Sequence, residues 1–302
     1  MTTHPGVEFM RALVADAGLQ DGDVVQVRAA MAAASADTPP KEGTGVIVGE
    51  LGGRPAEWVV PNDLSSDDTA APVVLYLHGG GYCMGNMDTH RPVCGRIALA
   101  AGARVVMLDY RLAPEDPFPA AIDDAIAAYL ELIEEGADPG RLVVAGDSAG
   151  GGLTLALLLR LRDEGGPMPA AAVLLSPWTD LTQSAPCYEF LDGFDPLLDR
   201  ARLQELADTY LGDADPLQPA ASPVFADDLV GLPPLSIDVG DQEVLLEDST
   251  RIADLAENSE VDVKLTVWPG LTHVFQIYPA ELFPEGDTSI AAMGSFIREH
   301  TA

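Results

Sequence analysis

Lysine is almost missing from this chain of 302 residues: Lys41 and Lys264 are the only two, and with arginine they bring the basic count to 16 against 48 acids. A formal charge of −32 repels phosphate, which excludes nucleic acid as a partner and disfavours an anionic membrane surface. The acid excess reads as a solubilising surface. Cysteine is scarce too. Cys83, Cys94 and Cys187 are odd in number and far apart, with no CxxC pair and no Cys/His cluster, so neither a disulfide framework nor a zinc site is indicated. No run approaches the roughly 18 consecutive apolar residues that cross a bilayer. The opening stretch, MTTHPGVEFMRALVADAG, lacks the basic start and apolar core of a secretory signal. A cytoplasmic protein with no membrane insertion is the expectation. Also absent are a G-x-G-x-x-G fingerprint and a glycine loop followed by lysine, the two common phosphate cradles.

What is present is enough apolar residue, 47%, for one large core. From about residue 57, strand-like runs (AEWVV, PVVLYLH, ARVVMLDY, RLVVAG, AAAVLLSPW, PLSIDVG, VKLTVWPG) are interleaved with helical patterns such as AAIDDAIAAYLELIEEG and LLEDSTRIADLAENS. Such alternation predicts an α/β fold with a mostly parallel sheet flanked by helices. Two regions break the rhythm. Residues 1–45 read as helices, and residues 180–225 form a proline-rich interruption around DRARLQELADTYLG. Insertions of this kind cover the C-terminal edge of an open α/β sheet, where ligands bind. The expectation is one catalytic domain, residues 46–302, with an N-terminal helical cap segment and a cap insertion at about 180–225.

The chemistry is concentrated in short motifs. GDSAGGG, residues 146–152, puts Ser148 between glycines, directly after a buried-strand pattern and directly before a helical one. That is the G-x-S-x-G nucleophile elbow, which exposes a hydroxyl on a tight strand-to-helix turn. Upstream, HGGGY places His78, Gly79, Gly80 and Gly81 just after another strand. Backbone N–H groups of Gly80, Gly81 and Ala149 can then converge on one oxygen, as stabilisation of a tetrahedral intermediate requires. His78, Gly79 and Asp147 would support these motifs. A serine needs a base. Of the five histidines, His4 and His300 lie near the termini, His78 belongs to the glycine loop, and His90 sits on a polar stretch that suggests a structural or surface role. His273, in VWPGLTHVF, is where a strand ends and a loop begins, and is the candidate base. An acid should lie between serine and histidine in sequence. Asp241 and Glu243, just after PLSIDVG, both qualify, and spacing alone leaves the choice open.

Taken together, HGGGY, DYRLAPEDPFPAAIDD, GDSAGGG, SPWTDLT and VWPGLTHVF resemble the bacterial hormone-sensitive-lipase family of α/β-hydrolases, from residue 45 to the end of the chain. The resemblance implies an α/β-hydrolase fold with an eight-stranded sheet and a helical cap. It implies a serine carboxylesterase that needs no metal or other cofactor and acts on small-molecule esters of short to medium chain. An amidase or lactone hydrolase with the same residues is the near alternative, and a non-catalytic receptor on this fold is the distant one. The resemblance also implies Glu243 as the acid, at the head of EVLLED and thirty residues before His273, where aspartate is the commoner choice. DYRLAPE would brace the site. Asp241 is expected in the turn after the strand, bonding its own backbone. A homodimer through the last strand and the C-terminal helix is a further expectation, since related enzymes pair there and edge strands invite it.

Overall fold

The computed structural model describes residues 4–17, 22–36, 38–64 and 71–302. Two helices open it, α1 (Pro5–Ala17) and α2 (Val24–Ser35), followed by the strands β1 (Thr44–Leu51), β2 (Arg54–Pro61) and β3 (Val73–Leu77). The alternation then runs α3 (Met87–Ala101), β4 (Arg104–Leu108), α4 (Ala120–Glu134), β5 (Leu142–Asp147), α5 (Ala149–Glu164) and β6 (Ala171–Leu175). Two helices, α6 (Cys187–Phe190) and α7 (Arg200–Leu211), precede β7 (Leu235–Gly240), α8 (Leu246–Asn258), β8 (Val263–Trp268) and α9 (Pro284–His300).

The strands form one eight-stranded sheet in the order β1-β2-β4-β3-β5-β6-β7-β8. The β1–β2 and β2–β4 pairs are antiparallel and every other pair is parallel. The central strands β3, β5, β6 and β7 are buried along their whole length, because helices cover both faces. Side-chain direction alternates along each strand and divides the core in two. Val74, Tyr76, Val105 and Met107 pack with α3 and α9. Val73, Leu75, Leu77 and Val106 point the other way, toward α4, α5 and the neighbouring insertion.

The expected fold is observed, with one element that the alternation did not reveal. Seven strand patterns were legible; the eighth is β1, whose sequence TGVIVGEL lies at the sheet edge and is mostly half-buried or exposed. Glycines at Gly45 and Gly49 break up what would have been its hydrophobic alternation. β1 starts at Thr44, so the sheet begins two residues before the expected boundary at 46.

Segments outside the alternation lie against the C-terminal ends of the strands. Val24 and Val27 of α2 join the larger core. Val7 and Met10 of α1 pack with Leu271, Phe275 and Phe283. α2 starts with a capping box between Asp23 and Gln26. Arg28 on α2 donates from Nε to the Cys83 carbonyl (2.5 Å), bonds the Ala113 carbonyl and pairs with Glu115 (2.8 Å), so two residues of DYRLAPE anchor this helix.

Candidate active site

Ser148 occupies the turn between β5 and α5, with φ 53° and ψ −123°. An L-residue rarely adopts that conformation, and it costs on the order of 1–3 kcal/mol. Its neighbours hold it there. The Ser148 N–H donates to the Leu175 carbonyl (2.8 Å), while its own carbonyl accepts from Gly151 (3.0 Å), Gly152 (3.1 Å) and Trp178 (2.9 Å). The first turn of α5 crosses so close to β3 that a Cβ at Gly150 would collide with the Leu77 carbonyl oxygen. Glycine is therefore needed after the serine for packing as well as for the turn.

The HGGG loop follows β3 and lies beside this elbow. Gly80 has φ +119°, and a Cβ there would strike the Met84 carbonyl, so only glycine fits. Among the described residues no backbone carbonyl accepts from the N–H of Gly80 or Gly81. Ala149, as the first residue of α5, likewise has no intrahelical acceptor for its N–H.

Asp147 ties loop and elbow together. It is buried, and its Oδ1 accepts from the Gly79 N–H (3.0 Å) and the Tyr76 hydroxyl (2.9 Å). His90 Nε2 contacts the same carboxylate at 3.3 Å. Burial drives the Asp147 carboxyl up, but the charge and hydrogen bond of His90 and the Tyr76 bond outweigh it and the pKa is lowered. His90 is correspondingly raised: burial works against its charge, and the Asp147 charge and bond overcome it. His78 behaves oppositely, pushed down to about 4 by burial and then by its neighbour His90. It is a neutral ring stacked on Tyr110 at 4.3 Å between centroids.

His273 stands on the loop after β8. Its Nδ1 lies 2.6 Å from Glu243 Oε2, and Glu243 is wholly buried. The other Glu243 oxygen accepts from the Gly240 N–H and from the Ser176 hydroxyl, each at 2.7 Å. Burial lowers the His273 pKa, but the Glu243 bond and charge, followed by the charges of Asp195 and Asp147, leave it raised above the usual imidazole value. Asp241 is not near this ring. Its Oδ1 accepts from the Gly270 N–H at 2.7 Å, so it ties the end of β7 to the turn after β8 instead of bonding its own backbone.

A cavity of about 360 Å³ brings these groups together. Gly79, Gly80, Gly81, Asp147, Ser148 and His273 line its floor. Its walls are apolar, from Met10, Val27 and Met31 on the N-terminal helices and Leu198, Leu203 and Leu206 in and before α7. With Nδ1 committed to a carboxylate, Nε2 is the ring nitrogen left to exchange a proton in this cavity.

Three residues in this arrangement escaped the sequence reading. His90, expected on the surface or in a structural role, is buried on α3 and also lines the cavity. Ser176, in the SPWTDLT stretch, has φ 45° and joins Glu243 to the histidine loop, accepting from the Val274 N–H at 3.2 Å. Asp195 accepts from the His273 N–H at 2.6 Å across 78 residues of sequence. Ser176 stands at the head of SPWTDLT; no local pattern marks Asp195.

The family model for the alpha/beta hydrolase fold matches residues 74–277. An acetyl-hydrolase of Streptomyces hygroscopicus is 45% identical over 246 residues, covering 82% of this chain and 80% of its own. An esterase of Acinetobacter venetianus is 37% identical over 235 residues, covering 78% and 77%. The solved structure of an esterase from the bacterial hormone-sensitive lipase family superimposes with a TM-score of 0.92 at 39% identity, covering 100% of both chains. This chain therefore belongs to the α/β-hydrolase family, among the esterases of its bacterial hormone-sensitive-lipase branch.

Proposed function

We propose that this esterase hydrolyses small carboxylic esters through an acyl-enzyme on Ser148, with His273 as the base and Glu243 as its partner. The observation that carries the assignment is the 2.6 Å contact between Glu243 Oε2 and His273 Nδ1, beside a cavity that Ser148 shares. His273 Nε2 takes the Ser148 proton as Oγ attacks the ester carbonyl. The N–H groups of Gly80, Gly81 and Ala149 receive the developing oxyanion. Collapse breaks the ester C–O bond, and His273 returns its proton to the leaving alcohol. A water then repeats the sequence: His273 accepts its proton, the acyl carbon takes its oxygen, and Ser148 leaves as the free hydroxyl together with the carboxylic acid.

The cavity supports short to medium acyl groups. At about 360 Å³ it lies near the lower end of small-molecule sites, and its walls are almost wholly apolar. The N-terminal helices and the segment at 180–225 act as the cap over this space. The reading is tested with p-nitrophenyl esters from acetate to laurate. Turnover should peak between butyrate and octanoate, and Ser148→Ala should lower kcat by several orders of magnitude with the fold retained. A variant that keeps even a tenth of wild-type turnover sinks the assignment.

Two further properties complete the proposal. Cys83, Cys94 and Cys187 are buried free thiols, which supports a reducing, cytoplasmic location. No helix among the described residues is long and apolar enough to cross a membrane. A homodimer through β8 and α9 is supported by the half-open edge strand, where Val267 is 40% exposed. Multi-angle light scattering at micromolar concentration should give twice the 31.7 kDa chain mass, and a monomer alone would dispose of the pairing.

A further inference from the structure

Asp195 has no part in the mechanism above, yet it is among the most deeply placed carboxylates of the molecule, 4% exposed. It lies in the segment between β6 and β7, just before α7. Its Oδ1 accepts from the N–H groups of Leu197 (2.8 Å) and Leu198 (3.0 Å), and its Oδ2 accepts from the His273 N–H (2.6 Å). Three backbone donors and no cation meet this carboxylate among the contacts it makes. Burial raises the Asp195 carboxyl above the usual carboxylate range, and the His273 charge and the backbone N–H groups offset only part of that rise. The next residue of the histidine loop, Val274, donates to Ser176 at 3.2 Å. Two consecutive N–H groups of that loop are thus held by side chains from different elements. One of these, Asp195, also fixes the backbone of Leu197 and Leu198, which form the cavity wall.

We propose that Asp195 is a positioning residue that joins the acyl-binding wall to the base, holding the His273 loop and favouring its imidazolium with a second internal charge. The inference rests on the triad assigned above. Groups around His273 come from several elements: Glu243 after β7, Asp147 and Ser148 at the β5–α5 turn, Asp195 from the insertion, and Tyr278 beyond the histidine. Arg202 also lines the cavity and pairs with Glu205 at 2.6 Å. Of these, Glu243 bonds the ring itself and Asp195 bonds the His273 backbone N–H, and of the two only Asp195 also holds the backbone of the substrate wall.

The same placement explains why one substitution should have two consequences. Asp195→Asn keeps the shape and one carbonyl oxygen but removes the charge. Its amide can serve either the wall or the histidine N–H as acceptor, not both without strain, since its other atom is a donor.

The test compares wild type and Asp195→Asn in the pH dependence of kcat/KM on p-nitrophenyl butyrate and p-nitrophenyl octanoate. The acid limb, which reports the neutral base, should move down by roughly one pH unit, as expected for loss of a nearby opposite charge. KM should rise about 3- to 10-fold more for octanoate than for butyrate, as a loosened wall holds the longer chain less well. A single-turnover release of p-nitrophenol from a phosphate triester that labels Ser148 gives the same limb and needs only the folded fraction, so partial unfolding of the variant does not blur the result. An acid limb in place with a uniform loss of kcat overturns the proposal, leaving Asp195 a purely structural residue. If wild type itself lacks an acid limb, or if Ser148→Ala remains active, the triad assignment fails first.

Discussion

Replacing Glu243 by glutamine tests the arrangement around His273 most sharply, because every atom of that carboxylate has an assigned partner. Oε1 accepts twice, from the Gly240 N–H and the Ser176 hydroxyl, and Oε2 faces His273 Nδ1. Glutamine has one acceptor and one donor to place on these two positions. If its oxygen takes the Oε1 position, its amide N–H₂ faces Nδ1. The ring must then carry its proton on Nε2, the nitrogen that has to receive the serine proton. If the amide is flipped, N–H₂ meets the Gly240 N–H in a fully buried space, and an unmet donor there costs about 1–3 kcal/mol. The first orientation therefore prevails by roughly 10- to 100-fold, with the wrong tautomer. The charge-assisted bond to the imidazolium, about 1.5–3 kcal/mol, is lost in either case. At about 1.4 kcal/mol per decade the two effects together lower kcat by about 10²- to 10⁴-fold.

Asp241→Asn is the matched control. It keeps the oxygen that accepts from Gly270, and kcat should change by less than about 3-fold. Both variants are assayed with p-nitrophenyl butyrate, with folded fractions matched by circular dichroism. A nearly normal Glu243→Gln enzyme beside a crippled Asp241→Asn would refute the reasoning.

Two further outcomes follow from the same geometry. Ser176→Ala leaves the Val274 N–H unpaired in a buried place and removes a donor from Glu243, so stability should fall by about 1–3 kcal/mol in urea titration and kcat by roughly 10-fold; an unchanged midpoint would mean that Ser176 holds nothing. The raised pKa of His273 fixes the sign of the pH profile: the base must be neutral to act, so kcat/KM should fall as pH drops through a midpoint above 6.5, and a midpoint below that value would contradict the charges assigned around the ring.

Most of the fold was legible because its parts are local. Buried parallel strands write themselves as runs such as VVLYL and AAVLL, and the elbow and glycine loop are each contiguous. β1 escaped because an edge strand with one exposed face needs no continuous apolar run. In the site, Ser148 and His273 were recognisable from their motifs. The acid was not separable by spacing, since Asp241 and Glu243 stand two residues apart after the same strand. What distinguishes them is three-dimensional: one reaches across to Gly270, the other turns back under His273. Ser176 and Asp195 were further out of reach. Each acts through a partner 67 or more residues away, and a serine or an aspartate in a loop has no periodicity to betray such a bond.

The overall charge of −32 invites the idea that the acidic surface itself promotes the base, and the site argues otherwise. Exposed charges more than about 8–10 Å away are largely screened at physiological salt, whereas buried ones are screened much less. The carboxylates that act on His273 are internal: Glu243 foremost, then Asp195, then Asp147. Asp147 is tied to Tyr76, Gly79 and His90, and its pull on the base comes last. Of these three, Glu243 and Asp195 supply the larger part of the field that matters when the imidazolium forms. One comes from the hydrolase core and the other from the segment that builds the substrate wall. Raising the salt concentration should therefore leave the acid limb in place while it alters the encounter with charged esters, because only the latter depends on the outer field. An acid limb that drifted down with salt would locate the field on the surface and weaken the case for Asp195 and Glu243 alike.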